Sequence, residues 1–134
     1  MVEDGKSILI KSWKKILIKD LKPHALNQIF DYLPEKTYEA LKEDIKKRGL
    51  KIPIDITENK TIVCGCQRVK ILNELGIKEL KENQYRILKD LTEDQIKEHL
   101  IKDNILRRQL TPAQIVEAGK ELEKIYKKQD YSYQ

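Results

Sequence analysis

Gly65-Cys66-Gln67-Arg68 puts a glycine, a thiol, an amide and a guanidinium in four consecutive residues. They lie where an apolar run, Thr61-Ile62-Val63, gives way to a helical pattern that Gly76 closes. A glycine-marked strand-to-helix turn leaves backbone N–H groups pointing outward and adds the positive end of the helix dipole, and Arg68 supplies a planar fork. That chemistry suits phosphate. A second constellation, Asp103-Asn104-Ile105-Leu106-Arg107-Arg108, sets a carboxylate beside an amide with two arginines in the following turn. Hard oxygens beside arginines are what a magnesium-bound phosphate needs: Asp103 and Asn104 would hold the metal while Arg107 neutralises phosphate charge. Either segment alone also reads as an ordinary βα connection or polar helix end, so the argument rests on both occurring in order.

Cys64 and Cys66 are too close in sequence for an ordinary disulfide, and no second Cys or His pair accompanies them as a structural zinc site would require. Cys64 reads as a small buried apolar residue. Cys66, at the start of the helix, is expected to have its thiol pKa lowered by the dipole, which favours thiolate.

The elements that must position these residues follow from periodicity. Ile16 to Leu21 reads as a strand and Lys22 to Asn27 as a loop broken by Pro23. Tyr38, Leu41 and Ile45 recur at helical spacing between Pro34 and Gly49. Ile52, Ile54 and Ile56 alternate with Pro53 and Asp55, and Glu58-Asn59-Lys60 turns the chain into Thr61-Ile62-Val63, giving a hairpin. The helix after the glycine turn buries Val69, Leu72 and Leu75, and Tyr85 to Leu88 forms a further strand. Thr92 with Gln95, and Thr111 with Pro112 and Gln114, open two last helices. Asp103 to Arg108 falls between those two, and the final helix buries Ile115, Ala118, Leu122 and Ile125. The βαβαβαα order is that of an α+β (α/β) domain.

Composition bounds the function classes. A length of 134 residues suits one domain with a real core, and 37% charged beside 40% hydrophobic residues describes a globular chain. Lys11, Lys14 and Lys15 interrupt the apolar runs near the N-terminus, which excludes a signal peptide's apolar region and makes the cytoplasm the expected location, with no membrane partner. A net charge of +5 favours polyanions only mildly, because the 22 acidic residues are interspersed among 27 basic ones.

Over roughly residues 16 to 118 the sequence resembles the ParB N-terminal domains and their relatives in the ParB/sulfiredoxin superfamily. The matching motifs are Leu21-Lys22-Pro23-His24-Ala25-Leu26-Asn27, Ile45-Lys46-Lys47-Arg48-Gly49-Leu50, Pro53-Ile54, and Ile62-Val63-Cys64-Gly65-Cys66-Gln67-Arg68. Glu74-Leu75-Gly76, Asp103-Asn104-Ile105-Leu106-Arg107 and Leu110-Thr111-Pro112 complete the series. The resemblance implies a small mixed sheet with helices packed against it and C-terminal helices. The domain would span 16–128, after a basic and apolar segment at 1–15 and before a tail at 129–134. It also implies a triphosphate, CTP as in partitioning proteins or ATP as in sulfiredoxins, cradled by Gly65, Cys66, Gln67 and Arg68. Arg107 and Arg108 join the cradle, Asp103 and Asn104 hold Mg²⁺, and His24 and Asn27 come from the loop that contributes to the family's nucleotide or second-substrate pocket.

Departures from the family bear on activity. Partitioning proteins read Gly-Glu-Arg-Arg where this chain has Gly65-Cys66-Gln67-Arg68, so one phosphate-facing charge is missing. The turn is nearer the Gly-Cys-His-Arg of sulfiredoxin, with Cys66 at the nucleophile position and Gln67 in place of histidine. Three readings follow. The first is a Mg²⁺-dependent nucleoside triphosphatase, in which Asp103 and Asn104 act in catalysis. The second is a ParB-like metal-dependent nuclease, which needs a further carboxylate for which Glu39, Glu43 and Asp44 are available. The third is a sulfiredoxin-like phosphotransferase using Cys66. DNA and a second copy of the chain are the macromolecular partners that the resemblance admits.

Overall fold

A computed structural model describes residues 15–132, with side chains for 15–128. The N-terminal segment with Trp13, and Tyr133, lie outside the described residues. Among the described residues, six short strands and four α-helices follow in the order β1 (Ile16–Leu17), β2 (Lys22–Pro23), α1 (Glu35–Arg48), β3 (Ile54–Thr57), β4 (Thr61–Cys64) and α2 (Cys66–Glu74). Then come β5 (Glu79–Leu80), β6 (Tyr85–Leu88), α3 (Glu93–Arg107) and α4 (Pro112–Ser132).

The expected strand from Ile16 to Leu21 is broken. Its first two residues pair antiparallel with β5, and a 3₁₀ turn at Ile18–Asp20 then redirects the chain so that β2 lies parallel to β4. Pro23 sits on that edge strand, where its missing N–H costs no ladder bond. The expected loop after it is itself largely a 3₁₀ helix, Ala25–Phe30.

The main sheet has the order β2-β4-β3-β6, mixed in direction, and the expected β3–β4 hairpin is its centre. One register shift, between Asp55 and Ile56, determines how the sheet is covered. Opposed residues on neighbouring strands share a face. Ile56 opposes Ile62 and packs with Ile45 of α1 and with Val69, Ile71 and Leu72 of α2. Beyond the shift Asp55 opposes Cys64, which joins Val63, Phe30, Ala118 of α4, and Leu100 and Ile101 of α3 in a second core. The sheet is therefore buried on both sides, and Asp55, in the polar phase of the β3 alternation, is only 2% exposed.

Helices α3 and α4 both open with a capping box. Thr92 and Gln95 exchange bonds of 3.1 and 2.8 Å, and Thr111 and Gln114 exchange bonds of 3.2 and 2.9 Å. Two expectations need correction here. Asp103 to Arg107 does not lie between helices but forms the last turns of α3, with Arg108 at its C-cap. Ile115 is 58% exposed and Gln114 is buried instead, because the inward stripe of α4 runs through Gln114, Ala118 and Ile125. Among the described residues no helix is long and apolar enough to cross a membrane.

Candidate functional site

The start of α2 and the end of α3 form facing walls of one pocket of about 260 Å³. Gly65, Cys66, Gln67 and Arg68 line it from one side, and Asp103, Asn104, Arg107 and Arg108 from the other, with Asn27 also contributing. Phe30, Leu33, Leu41 and Ile52 make its apolar part. His24 does not line it: its Nε2 is 2.7 Å from Glu93 Oε1 and its Nδ1 accepts from the Leu26 amide at 3.1 Å.

Gly65 is fixed by backbone and space together. Its φ is +107°, a left-handed conformation, and a Cβ there would lie 2.7 Å from Cδ1 of Ile54. It is the N-cap of α2, and no side chain accepts from the first helical amides. The helix dipole therefore ends at this pocket with donors that the helix itself cannot use.

Arg68 turns inward. One terminal nitrogen donates to the carbonyls of Ile52 and, at 3.1 Å, Pro53, tying α2 to the chain entering β3. Burial lowers its pKa, with nearby Asp103 opposing the shift. Gln67 donates through Nε2 to the Asp31 carbonyl at 2.8 Å, fixing the other side of the turn.

The expected Cys66 thiolate does not suit this setting. Burial pushes its thiol up to about 12, and the charge of Asp31 acts in the same direction, outweighing the opposing charge of Arg68. Cys64 is buried, as its apolar reading requires, and its thiol is likewise raised, first by burial and then by the charges of Asp103 and Asp55.

On the α3 wall, Arg107 Nε donates to Asp103 Oδ1 at 2.6 Å. Asn104 donates its amide nitrogen to the Leu100 carbonyl at 2.9 Å, which presents Oδ1 as an acceptor. Asp103 and Asn104 thus offer two hard oxygens at the negative end of α3, a donor set that fits Mg²⁺ completed by phosphate and water. Arg108 spans to the preceding loop, donating to Phe30 O at 2.9 Å and to Tyr32 O. Asn27 is buried and donates to the Ile62 carbonyl at 3.0 Å.

The acids expected to serve a nuclease are elsewhere. Glu43 pairs with Lys47 and Asp44 with Arg48 along α1, and Glu39 does not line the pocket, whose carboxylates are Asp31 and Asp103. Sequence reasoning missed Asp31, Thr37 and the apolar wall, all carried by the 3₁₀ segment, the following loop and α1. It also missed a buried cluster behind the pocket. Arg86 grips Asp55 through two bonds of 2.7 and 2.8 Å, and His99 Nε2 lies 2.9 Å from Oδ2 of the same carboxylate. Burial pushes the Asp55 carboxyl upward, but the hydrogen bonds from Arg86 and His99 outweigh it and hold the group below its usual value.

Comparison with known proteins agrees with this architecture. A pNOB8-like ParB-N domain superposes with a TM-score of 0.67 at 22% identity, covering 87% of this chain and 46% of that one. A second structure of a pNOB8-like ParB N-domain gives 0.66 at 20% identity, covering 90% and 44%. A C-terminally truncated chromosome-partitioning protein ParB from Caulobacter crescentus, complexed with CTP-γ-S, gives 0.58 at 21% identity, covering 72% and 54%. In sequence, protein ORF326b of Acidianus two-tailed virus is 37% identical over 84 residues, which are 62% of this chain and 25% of the viral protein. The chain thus spans about a quarter of that relative and about half of the matched ParB chains. With its glycine turn and α3 motif on one pocket, and with residues 3–105 matching the model of the ParB N-terminal domain, the chain belongs to the ParB N-terminal domain family.

Proposed function

We propose that the pocket binds the phosphates of a nucleoside triphosphate with Mg²⁺ and hydrolyses it slowly. The observation that carries this reading is the uncapped start of α2, whose amides open into a pocket closed by the carboxylate, amide and arginines of α3. One helix presents its positive end and the other its negative end, so an anion and a cation can be held side by side. Gly65 lets the backbone approach phosphate closely, and Arg68 supplies a buried positive charge held in place by two carbonyls. Arg107 is the half-exposed partner, and from its pair with Asp103 it can exchange that carboxylate for phosphate oxygen as charge develops. Asp103 and Asn104 would hold Mg²⁺, which when bound would neutralise charge on the phosphates. Once Arg107 turns to phosphate, the freed Asp103 Oδ1 would accept from the attacking water and orient it, with Asn104 kept in place by its bond to the Leu100 carbonyl.

The Caulobacter ParB structure, complexed with a CTP analogue, supports a cytidine nucleotide as the first ligand to test. Calorimetric titration with CTP and with ATP, each with Mg²⁺, accompanied by phosphate release, tests the reading. Saturable binding with release supports it, and absence of binding by either nucleotide overturns it. The nuclease reading draws less support, with two pocket carboxylates rather than a two-metal set, and plasmid nicking in the same samples tests it. Cysteine phosphotransfer draws less still, because burial and the charge of Asp31 push the Cys66 thiol up to about 12, away from thiolate. Duplex DNA and a second copy of the chain are tested as partners by anisotropy and by sedimentation, with and without nucleotide.

A further inference from the structure

We propose that Asp55, Cys64 and His99 form a binding site for a divalent transition metal of borderline softness, zinc in the cell. The three residues come from β3, β4 and α3, and one ligand atom from each lies within 4.8 Å of the other two. Around tetrahedral zinc such atoms sit roughly 3.3–3.6 Å apart, so closure needs only small side-chain movements. A carboxylate, a thiol and an imidazole together select zinc or cobalt over magnesium and calcium, which prefer oxygen alone.

The fold supplies the support that such a site requires. The register that opposes Asp55 to Cys64 also pairs Asp55 with Arg86 on β6, so all three share the face that α3 covers. Arg86 holds both oxygens of Asp55, Nε on Oδ1 at 2.7 Å and Nη2 on Oδ2 at 2.8 Å, so the carboxylate is already oriented and Oδ2 reaches the metal by sharing or giving up the second of these bonds while the first stays as the outer contact. His99 already directs Nε2 at that oxygen and exchanges the hydrogen bond for a metal bond. The Cys64 thiol gives its proton to the solvent on binding. Asp55 and Cys64 are each 2% exposed, whereas the His99 side chain is 37% exposed, which gives the ion a way in and leaves the fourth position to water. This site is separate from the Asp103–Asn104 pair, although the charge of Asp103 reaches Cys64.

The competing account is a self-sufficient ion cluster in which Arg86 and His99 neutralise Asp55. Cobalt(II) separates the two, because a cobalt–thiolate bond absorbs in the near ultraviolet and a hard-oxygen site does not. Titrating the chelator-treated chain with Co²⁺ should give one equivalent of binding with that band. Cys64→Ser should abolish the band, His99→Gln should weaken binding at least tenfold, and Cys66→Ser should leave the band intact. His99→Gln, at a half-exposed position, keeps the test valid if Cys64→Ser fails to fold. No charge-transfer band at equimolar cobalt overturns the proposal, as does a band that survives Cys64→Ser and is lost with Cys66→Ser.

Discussion

The start of α2 and the start of α4 answer the same physical problem in opposite ways. Each helix must dispose of amides that lack intrahelical partners. At α4, Thr111 and Gln114 satisfy two of them reciprocally, and Pro112 removes one by having no N–H. At α2, Gly65 brings no side chain to the task, and the turn is held by contacts made two and three residues later, through Gln67 and Arg68. A side-chain cap is worth about 1 kcal/mol, so α2 forgoes stabilisation that α3 and α4 both take. The start of α1, at Pro34, also has no side-chain cap, so a missing cap alone does not mark the site; at α2 the uncapped amides belong to a glycine turn whose residues line the pocket.

Substitutions at the uncapped turn break this comparison most sharply. Gly65→Ala should cost about 3 kcal/mol of stability in urea denaturation, because a Cβ must enter left-handed backbone and meet Ile54, and triphosphate binding should disappear with it. A protein of unchanged stability would mean that the turn can relax. Arg68→Ala should weaken triphosphate binding by about 2 kcal/mol and also reduce stability, since it removes a charge-assisted contact and two backbone tethers. Calorimetry showing equal affinity would make Arg68 purely structural. Asn104→Ala should lower turnover about tenfold, or about 1.4 kcal/mol, and blunt its magnesium dependence, while unfolding shifts by less than about 0.5 kcal/mol. Equal loss of stability and turnover would reduce Asn104 to a helix contact.

The capped helices supply the other half of the comparison. Thr92→Ala should cost about 1 kcal/mol of stability and leave nucleotide affinity within twofold, because its cap lies at the far end of α3 from Asp103. The smallest expected signal is chemical: with the Cys66 thiol raised to about 12, alkylation of the native protein at pH 8 should be far slower than that of a free thiol, and should speed up on unfolding. Fast native labelling at Cys66 would restore the nucleophile reading.

Much of the framework was legible from local signals. The glycine turn, the β3–β4 hairpin, β6 and both threonine caps each rest on residues within a few positions of one another. What could not be read depends on distant parts of the chain. The Ile16 to Leu21 run looked continuous because nothing local reports that the chain must leave β1 at Ile18 so that Lys22 can reach β4. The end of α3 looked like a linker because Ile105 and Leu106 are exposed, so the apolar stripe fades while the helix continues. Ile115 and Gln114 differ by one helical position, and the cap at Thr111 selects which of them faces inward. Asp55 gave no local sign of burial, since its partners Arg86 and His99 lie 31 and 44 residues away. The pocket residues were found where they sat together in polar motifs and missed where they were apolar or, like Asp31 and Thr37, stood apart from any motif.

The central claim is that phosphate sits on the amides at the start of α2, and amide chemical shifts report on those groups directly. Titrating the ¹⁵N-labelled chain with Mg²⁺ and CTP, and separately with ATP, should produce its largest shifts at Cys66, Gln67 and Arg68, followed by Asp103 to Arg108, and little at the capped amides of Gln95 and Gln114. Nucleotide that binds while leaving the Cys66 to Arg68 amides unmoved would contradict the account.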